Sequence, residues 1–265
     1  MSDESAMPCD GNAALSFETV ELCGIALARA SQQQVLDAVD ACFARGEGGW
    51  LVTANVDFLQ RAAGSPEIRA LYQRATLAVA DGAPVVWASR VAGRPVPERV
   101  AGSDLVGALA GRAARHGRRL YLLGGEGDVA ARAADALCAA WPSLVIAGRS
   151  SPWLSSPPTA EELAAVRAEV VGSRPDLVYV ALGSPKQEQV IDALRDDLPG
   201  AWWMGCGISL AFVAGEVARA PGWMQRAGLE WFHRLSQEPG RLARRYLLGN
   251  LPFTLRLMRE AWRQR

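Results

Sequence analysis

Short apolar runs alternate with longer amphipathic stretches along most of this sequence. Each run is apolar nearly throughout, which is typical of strands buried on both faces of a parallel sheet. The predicted strands are Val20–Cys23, Trp50–Ala54, Leu77–Ala80, Leu120–Leu123, Leu144–Ala147, Leu177–Leu182 and Trp202–Cys206. The predicted helices are Gln32–Ala44, Pro66–Arg74, Pro84–Val91, Ser103–His116, Val129–Trp141, Thr159–Ser173 and Lys186–Leu198. This order predicts an α/β fold with a Rossmann-like, doubly wound, mainly parallel sheet.

The two ends of the chain depart from this pattern. Residues 1–16 are polar and acidic, and we expect them to be disordered. Residues 17–215 carry the Rossmann-like pattern, and residues 216–265 form a C-terminal appendage without strand signals. From Pro221 onward the pattern predicts two or three amphipathic helices, broken at 238–240 and 249–252.

The appendage is strongly basic. From Arg219 to the end there are ten arginines and three glutamates, although the whole chain has no net charge. One predicted helical stripe collects Leu229, Phe232 and Leu235, and another collects Tyr246, Leu247, Phe253, Leu257 and Trp262. An arginine-rich helix with such a face is a candidate for lying on an anionic membrane surface. The alternatives are helices that cap the core or form a subunit interface, so self-association stays open.

The cysteines, the N-terminus and the lengths of the apolar runs predict the cellular compartment of the protein. Five cysteines are scattered without a CxxC pair or a metal-type spacing to histidine, which favours reduced thiols in a cytosolic chain. The N-terminus lacks the pattern of a signal peptide, and no apolar run reaches the roughly 18–20 residues that span a bilayer. We therefore expect a cytoplasmic protein with at most peripheral membrane contact, and with no metal or nucleic acid bound.

Polar residues follow several predicted strands, where ligands of an open parallel sheet bind. Thr53 and Asn55 leave the second strand on one face, so both side chains could reach a ligand. In the alternative reading, Asn55 or Asp57 caps the helix that follows. Asp81 ends the next strand and precedes a glycine and a proline-started helix, which suits a general base, although such a sequence is also a common turn.

Two further strand ends and one loop carry candidate binding residues. Gly124 and Gly125 could let the backbone approach a phosphate, although the GGxG spacing is not a dinucleotide fingerprint. The loop residues Arg99 and Asp104 form another polar group, in which the arginine could hold a phosphate or a structural ion pair. The segment after the Leu177–Leu182 strand predicts a ligand-binding rim of Gly183, Lys186, Gln187 and Glu188, or a helix start in which Glu188 faces the helix dipole.

With these segments in order, the sequence resembles the WecG/TagA/CpsF glycosyltransferase family, glycosyltransferase family 26. The resemblance rests on VTANVDFL, ATLAVADGAPVVW, PERVAGSDLV, LYLLGG, PDLVYVALGSPKQE and RAPGWMQRAGLEWFHRLSQEPGRLARRY. These segments extend over about residues 18–250, and the longer ones are specific in combination.

The resemblance implies an inverting enzyme that moves a hexose or N-acetylhexosamine from a UDP-sugar to a polyprenyl-diphosphate-linked sugar, without a metal or other cofactor. It implies that Asp81 is the base, that Thr53 and Asn55 belong to the catalytic site, and that Gln187 and Glu188 bind substrate. It also implies a peripheral position on the inner face of the membrane, where appendage arginines complete the site. The arginines carried over are Arg219, Arg226, Arg234 and Arg241.

One segment departs from the family pattern. Where many relatives have a Phe-Asp pair before Ala-Gly, this chain has Leu210 and Ala211. The segment is similar to the branch that builds xanthan-type exopolysaccharide, which favours glucose as the transferred sugar. The alternatives are transfer of N-acetylmannosamine or its uronic acid to a surface polymer, an NAD-dependent oxidoreductase, and a noncatalytic scaffold.

Overall fold

A computed structural model describes residues 15–226, 228–237 and 239–265, apart from the side chains of Arg226 and Arg241. The segment 1–14, which includes most of the predicted disordered end, lies outside the described residues. The strands are β1 Thr19–Leu22, β2 Ile25–Ala28, β3 Gly49–Ala54, β4 Leu77–Ala80, β5 Arg119–Gly124, β6 Val145–Ser150, β7 Leu177–Ala181 and β8 Trp202–Gly205.

The helices surround these strands in the order that the periodicity predicts, with additions. They are α1 Gln32–Ala44, α2 Val56–Gly64, α3 Pro66–Gln73, α4 Ala83–Val91, α5 Gly102–Arg115, α6 Val129–Ala140, α7 Ala160–Ser173, α8 Lys186–Leu194, α9 Ser209–Val213, α10 Gly222–Arg226, α11 Glu230–Gln237, α12 Pro239–Arg244 and α13 Leu251–Arg263. A 3₁₀ turn covers Arg195–Asp197, and a π-helical turn covers Arg245–Asn250.

Six strands form one parallel sheet in the order β4-β3-β8-β7-β5-β6. Trp202 and Trp203 are neighbours on β8, yet their side chains enter different core clusters, one on each face of the sheet. Burial on both faces explains why the strands are apolar nearly throughout rather than alternating. The doubly wound fold predicted from the sequence is confirmed.

The first predicted strand does not join the main sheet. β1 and β2 form a separate antiparallel hairpin, and Ile25–Ala28 was not predicted as a strand. The hairpin turns at Cys23 and Gly24, whose φ values are 54° and 77°. Two consecutive positive φ values match the twist of a tight hairpin, so the chain reverses before it reaches the main sheet.

The appendage contributes to the core through its last helix. On α13, the side chains of Phe253, Leu257 and Ala261 are buried in the core cluster that covers one face of the sheet. The break predicted at residues 249–252 is wrong, because α12, the π-helical turn and α13 follow one another without an interruption. Pro252 lies at the junction where the π-helical turn passes into α13.

Candidate functional site

Asp81 lies at the carboxyl edge of the sheet, directly after β4. Its backbone N–H donates to the carbonyl oxygen of Ala54 at 2.9 Å, which extends the pairing of β3 and β4 by one residue. Its Oδ2 atom accepts a hydrogen bond from the N–H of Gly102 at 3.4 Å. The carboxylate is therefore fixed between the end of a buried strand and the first residue of α5.

The surroundings of Asp81 favour its protonated form. Burial raises the pKa of Asp81 to about 6, while the guanidinium of Arg99 and the Gly102 N–H act in the opposite direction. The nearby carboxylates of Glu230 and Asp104 add to the upward shift. A carboxylate that titrates just below neutral pH can both accept a proton in the reaction and be ionised beforehand, as a general base requires.

Four charged side chains next to Asp81 form a cluster, which we call the ion cluster: Arg99, Asp104, Arg219 and Glu230. Arg99 pairs closely with Glu230, and its Nη2 atom lies 3.9 Å from Oδ2 of Asp104. Arg219 approaches Asp104 at 2.6 Å and Glu230 at 3.5 Å. Because Arg219 and Glu230 come from the appendage, this cluster joins the appendage to the sheet edge at the candidate site.

Arg219 has donor capacity left over within the cluster. Its Nη2 atom is buried and makes no hydrogen bond to any described residue. A buried guanidinium donor without an acceptor is costly, and an anionic ligand would remove that cost. Of the four appendage arginines expected at the site, the structure brings Arg219 into the ion cluster through Asp104 and Glu230, and it places Arg234 in the last turn of α11. The side chains of Arg226 and Arg241 lie outside the described residues.

The side chains of Thr53 and Asn55 make different contacts. The side chain of Thr53 lies so close to the start of α5 that a Cβ atom at Gly102 would be 2.9 Å from its Oγ1. Thr53 therefore shares a neighbour with Asp81. Asn55 is exposed and caps α2, because its Oδ1 atom accepts from the N–H of Phe58 at 3.0 Å. The capping interpretation thus holds for Asn55, and α2 itself was missed because its first residues read as a polar strand end.

Gln187 and Glu188, which the sequence predicted as part of a ligand-binding rim, make hydrogen bonds within the protein. Both side chains are buried. Gln187 accepts from the N–H of Gly207 at 3.2 Å and donates to Glu188 at 2.9 Å. Burial raises the pKa of Glu188, and hydrogen bonds from Gln187 and Ser184 oppose that shift. The pair links the start of α8 to the loop after β8.

The remaining members of the predicted rim, Lys186 and Gly183, form hydrogen bonds with backbone atoms. The ammonium group of Lys186 donates to the carbonyl oxygen of Leu154 and so anchors the irregular loop of residues 151–158. Gly183 has a φ of +74° and accepts from the N–H of Gln187 at 2.9 Å. Lys186 and Gly183 therefore hold neighbouring segments in place at this end of the sheet.

Gly124 and Gly125 allow the backbone to approach the neighbouring strand. A Cβ atom at Gly124 would lie 2.6 Å from the carbonyl oxygen of Ala181, and the φ of Gly124 is +97°. The N–H of Gly125 donates to that same oxygen at 2.9 Å. Close strand packing thus explains both glycines, and the N–H of Gly125 is already used within the protein.

A cavity of about 480 Å³ lies away from the ion cluster, between α2 and the π-helical turn. Its lining consists of Gln60, Arg244, Arg245, Leu248, Gly249 and Asn250. Neither Asp81 nor any member of the ion cluster is among these residues. Among the described residues, the candidate site at the carboxyl edge of the sheet is therefore separate from this cavity.

Large apolar side chains are exposed along the appendage. They are Trp223, Trp231, Phe232, Leu247, Leu248, Leu251, Leu255 and Trp262. Two other members of the predicted stripes, Phe253 and Leu257, are buried against the main domain, so the core-capping interpretation holds for that face of α13. Among the described residues, no helix is both long enough and apolar enough to cross a bilayer.

The sequence analysis singled out the arginines of the appendage but missed Glu230. The signal available was its position: it is the first acidic residue after Arg219 in an otherwise basic segment. Its partner Arg99 is 131 positions earlier in the chain, so only the fold shows the pairing.

A comparison with protein families agrees with this geometry and with the resemblance seen in the sequence motifs. The model of the glycosyl transferase WecG/TagA/CpsF family matches residues 20–265, which is nearly the whole chain and includes the appendage. A match of this extent covers Asp81 and every member of the ion cluster. The chain belongs to this family, and it is a glycosyltransferase that acts on a UDP-sugar.

Proposed function

We propose that this enzyme transfers a hexose, with glucose favoured, from its UDP-sugar to a sugar linked through diphosphate to a polyprenol, with inversion at the anomeric carbon. The observation that carries the proposal is the Asp81 carboxylate, which is fixed at the sheet edge and senses the charges of Arg99, Asp104 and Glu230, members of an ion cluster that also holds Arg219. One carboxylate supplies the base that an inverting transfer needs, and the arginines supply positive charge for the departing diphosphate.

The proposed reaction is a single displacement. Asp81 takes the proton of the acceptor hydroxyl, whose oxygen forms a bond to the anomeric carbon. The bond between that carbon and the diphosphate oxygen breaks on the opposite face, and its electron pair leaves with UDP. The unused Nη2 donor of Arg219 suits the negative charge that develops on the diphosphate.

The preference for glucose rests on the segment after β8. Leu210 is fully buried in the core and Ala211 packs against it, so neither residue offers a carboxylate to a donor substituent. A site without that carboxylate fits an unsubstituted hexose better than an N-acetylated or carboxylated one. This argument supports an enzyme of exopolysaccharide synthesis over one that transfers N-acetylmannosamine or its uronic acid.

The surface of the appendage is the argument for a peripheral position of the enzyme on the inner face of the membrane, where a polyprenyl acceptor is found. Its exposed tryptophans and leucines lie on helices that also carry most of its arginines. Apolar side chains and arginines together favour the interface of an anionic bilayer.

The test is transfer measured by mass spectrometry with a panel of UDP-sugars and short-chain polyprenyl-diphosphate-linked acceptors. We expect UDP-glucose to give product, and Asp81→Asn to lower kcat by about 10²- to 10⁴-fold while UDP binding persists. Asp196→Asn is the matched control, because its side chain is exposed outside the site. Transfer by Asp81→Asn at the wild-type rate would remove Asp81 from the mechanism.

A further inference from the structure

Arg99 lies near Asp81 without pairing with it. The backbone N–H of Val100, the residue after Arg99, donates to the carbonyl oxygen of Ala80 at 2.9 Å, so Arg99 and Asp81 lie on adjoining segments, and the positive charge of Arg99 lowers the pKa of Asp81. The ion pairs of Arg99 with other described residues go to Glu230 and Asp104, and none goes to Asp81. This is unusual, because a guanidinium beside a carboxylate normally closes on it in a two-pronged pair.

Glu230 is the stronger of the two partners that hold Arg99 in this position. The separation of 3.9 Å between Arg99 and Asp104 is at the limit of an ion pair, and Asp104 also pairs with Arg219 at 2.6 Å. Glu230 contacts Arg99 closely, and the side chains of both residues are about four-fifths buried. Without Glu230, the acceptors left to Arg99 would be Asp104, which already pairs with Arg219, and the carboxylate of Asp81.

Direct pairing of Arg99 with Asp81 would damage a general base in two ways. The positive charge in contact would lower the pKa of the carboxylate and weaken its pull on the proton of the acceptor. The two guanidinium N–H groups would also occupy the lone pairs that must receive that proton. An enzyme that uses Asp81 as its base therefore needs Arg99 close by but out of contact.

We propose that Glu230 is a positioning residue for the catalytic base: from α11 of the appendage, it holds Arg99 away from Asp81 so that the carboxylate is free to accept a proton. This inference rests on the proposed function of Asp81. It makes the docked appendage a requirement for a working base as well as for binding the diphosphate.

The proposal predicts how charge and pH act together at the site. The charged groups that act on Asp81 are Arg99 from the loop before α5, Asp104 from α5 and Glu230 from α11. Arg219, from the segment before α10, pairs with both acidic groups. In Glu230→Gln the amide keeps the shape but loses the charge that restrains Arg99. We expect kcat to fall about 10- to 100-fold. We also expect the acidic limb of the kcat/KM profile to move down by about one pH unit or more.

A double-mutant cycle separates positioning from a general structural role. In an Arg99→Gln background, Glu230→Gln should cause no further loss of kcat, because the group that Glu230 restrains is gone. Glu230→Asp, which keeps the charge, should leave the acidic limb close to that of the wild type. Glu260→Gln is the matched control, because Glu260 pairs with the exposed Arg256 on α13, outside the ion cluster.

A titration of the Asp81 carboxylate by ¹³C NMR, assigned with Asp81→Asn, tests the inference without relying on activity. Glu230→Gln should lower the pKa of Asp81 more when Arg99 is present than when it is replaced by Gln. Equal shifts in both backgrounds, or an unchanged acidic limb in an active Glu230→Gln enzyme, would overturn the role of Glu230. A wild-type protein that transfers no sugar would instead contradict the proposed function, and the NMR cycle would still decide the position of Arg99.

Discussion

Arg245 forms a two-pronged ion pair with Asp57. Its Nε atom donates to Oδ1 at 2.8 Å, and its Nη2 atom donates to Oδ2. Asp57 lies in the first turn of α2, two residues after Asn55, and Arg245 opens the π-helical turn of the appendage. This pair is therefore a second connection between the appendage and the end of β3, separate from the ion cluster.

Arg245→Gln should loosen this connection without removing the core contacts of α13. Because the Arg245 side chain is 41% exposed, we expect the free energy of unfolding to fall by only about 1 kcal/mol. Hydrogen exchange should increase in the π-helical turn. Arg256→Gln is the control, since its pair with Glu260 is an exposed contact within one helix and should contribute less than about 0.5 kcal/mol. Equal losses in the two variants would show that Arg245 does not fasten the appendage.

Asp81→Asn should stabilise the protein at alkaline pH. The pKa of Asp81 rises from 3.8 to about 6 on folding, so the folded state holds the proton more tightly. The protonated carboxyl therefore stabilises the fold below pH 4, and this contribution is lost as the pH rises through about 6. We expect Asp81→Asn to exceed the wild type by on the order of 2 kcal/mol at pH 8, and the difference to shrink towards zero at pH 4.

Urea unfolding at the two pH values measures this difference directly. Asp196→Asn should show no comparable gain at pH 8, because the side chain of Asp196 is 88% exposed. A carboxylate that serves as a base is retained for its chemistry, although its ionised form lowers the free energy of unfolding. If Asp81→Asn were no more stable at pH 8, folding would not raise the pKa of this carboxylate as its surroundings indicate.

Most strands of the main sheet could be predicted because each one is a short, nearly continuous apolar run. A strand such as β7, buried on both faces, is a continuous apolar run, and no amphipathic helix has that pattern. Asp81 could be predicted as well, since it directly follows such a run. The β1–β2 hairpin could not, because Val20 and its neighbours alternate over only four residues and the turn at Cys23 needs a positive φ at a non-glycine residue.

The interactions around Asp81 were beyond the reach of the sequence for a different reason. Arg99 and Glu230 are held together by the way the appendage returns to the sheet edge, and no local pattern encodes that return. Asn55 was ambiguous for a local reason, because a polar residue after a strand can equally contact a ligand or cap a helix. Its hydrogen bond with Phe58 shows that it caps α2. Gln187 and Glu188 were expected on a ligand-binding rim because long polar side chains cluster at one strand end, and the sequence does not show that the two side chains are buried and hydrogen-bonded to each other.

The glycines after β5 give a prediction that separates packing from ligand binding. Gly124→Ala would bring a Cβ atom to 2.6 Å from the backbone of β7 at an unfavourable φ. We expect it to lower the free energy of unfolding by about 2 to 4 kcal/mol. Gly127→Ala is the control, because Gly127 has a φ of +56° and open space around it, and it should cost about 1 kcal/mol. Thermal unfolding of both variants distinguishes them, and similar losses would argue against close packing at Gly124.

The exposed leucines of the appendage lead to the last prediction, which concerns the membrane. The side chain of Leu248 is 72% exposed on the π-helical turn, close to Arg244 and Arg245. If this face lies in the bilayer interface, Leu248→Asp loses the transfer of one leucine side chain and adds a repulsive charge. Leucine burial contributes about 1.5 to 3 kcal/mol, so binding to vesicles that contain phosphatidylglycerol should weaken by about tenfold or more.

Sedimentation with anionic and with neutral vesicles provides the measurement. Val145→Asp is the matched control, because Val145 is also exposed but lies on β6, at the other end of the sheet from β4. Its vesicle binding should equal that of the wild type. Unchanged binding of Leu248→Asp, together with a shift of the protein to a smaller species in solution, would instead assign this leucine face to contact between copies of the chain. Arg245, which lies beside it, would then serve the docking of the appendage through Asp57 rather than the lipid surface.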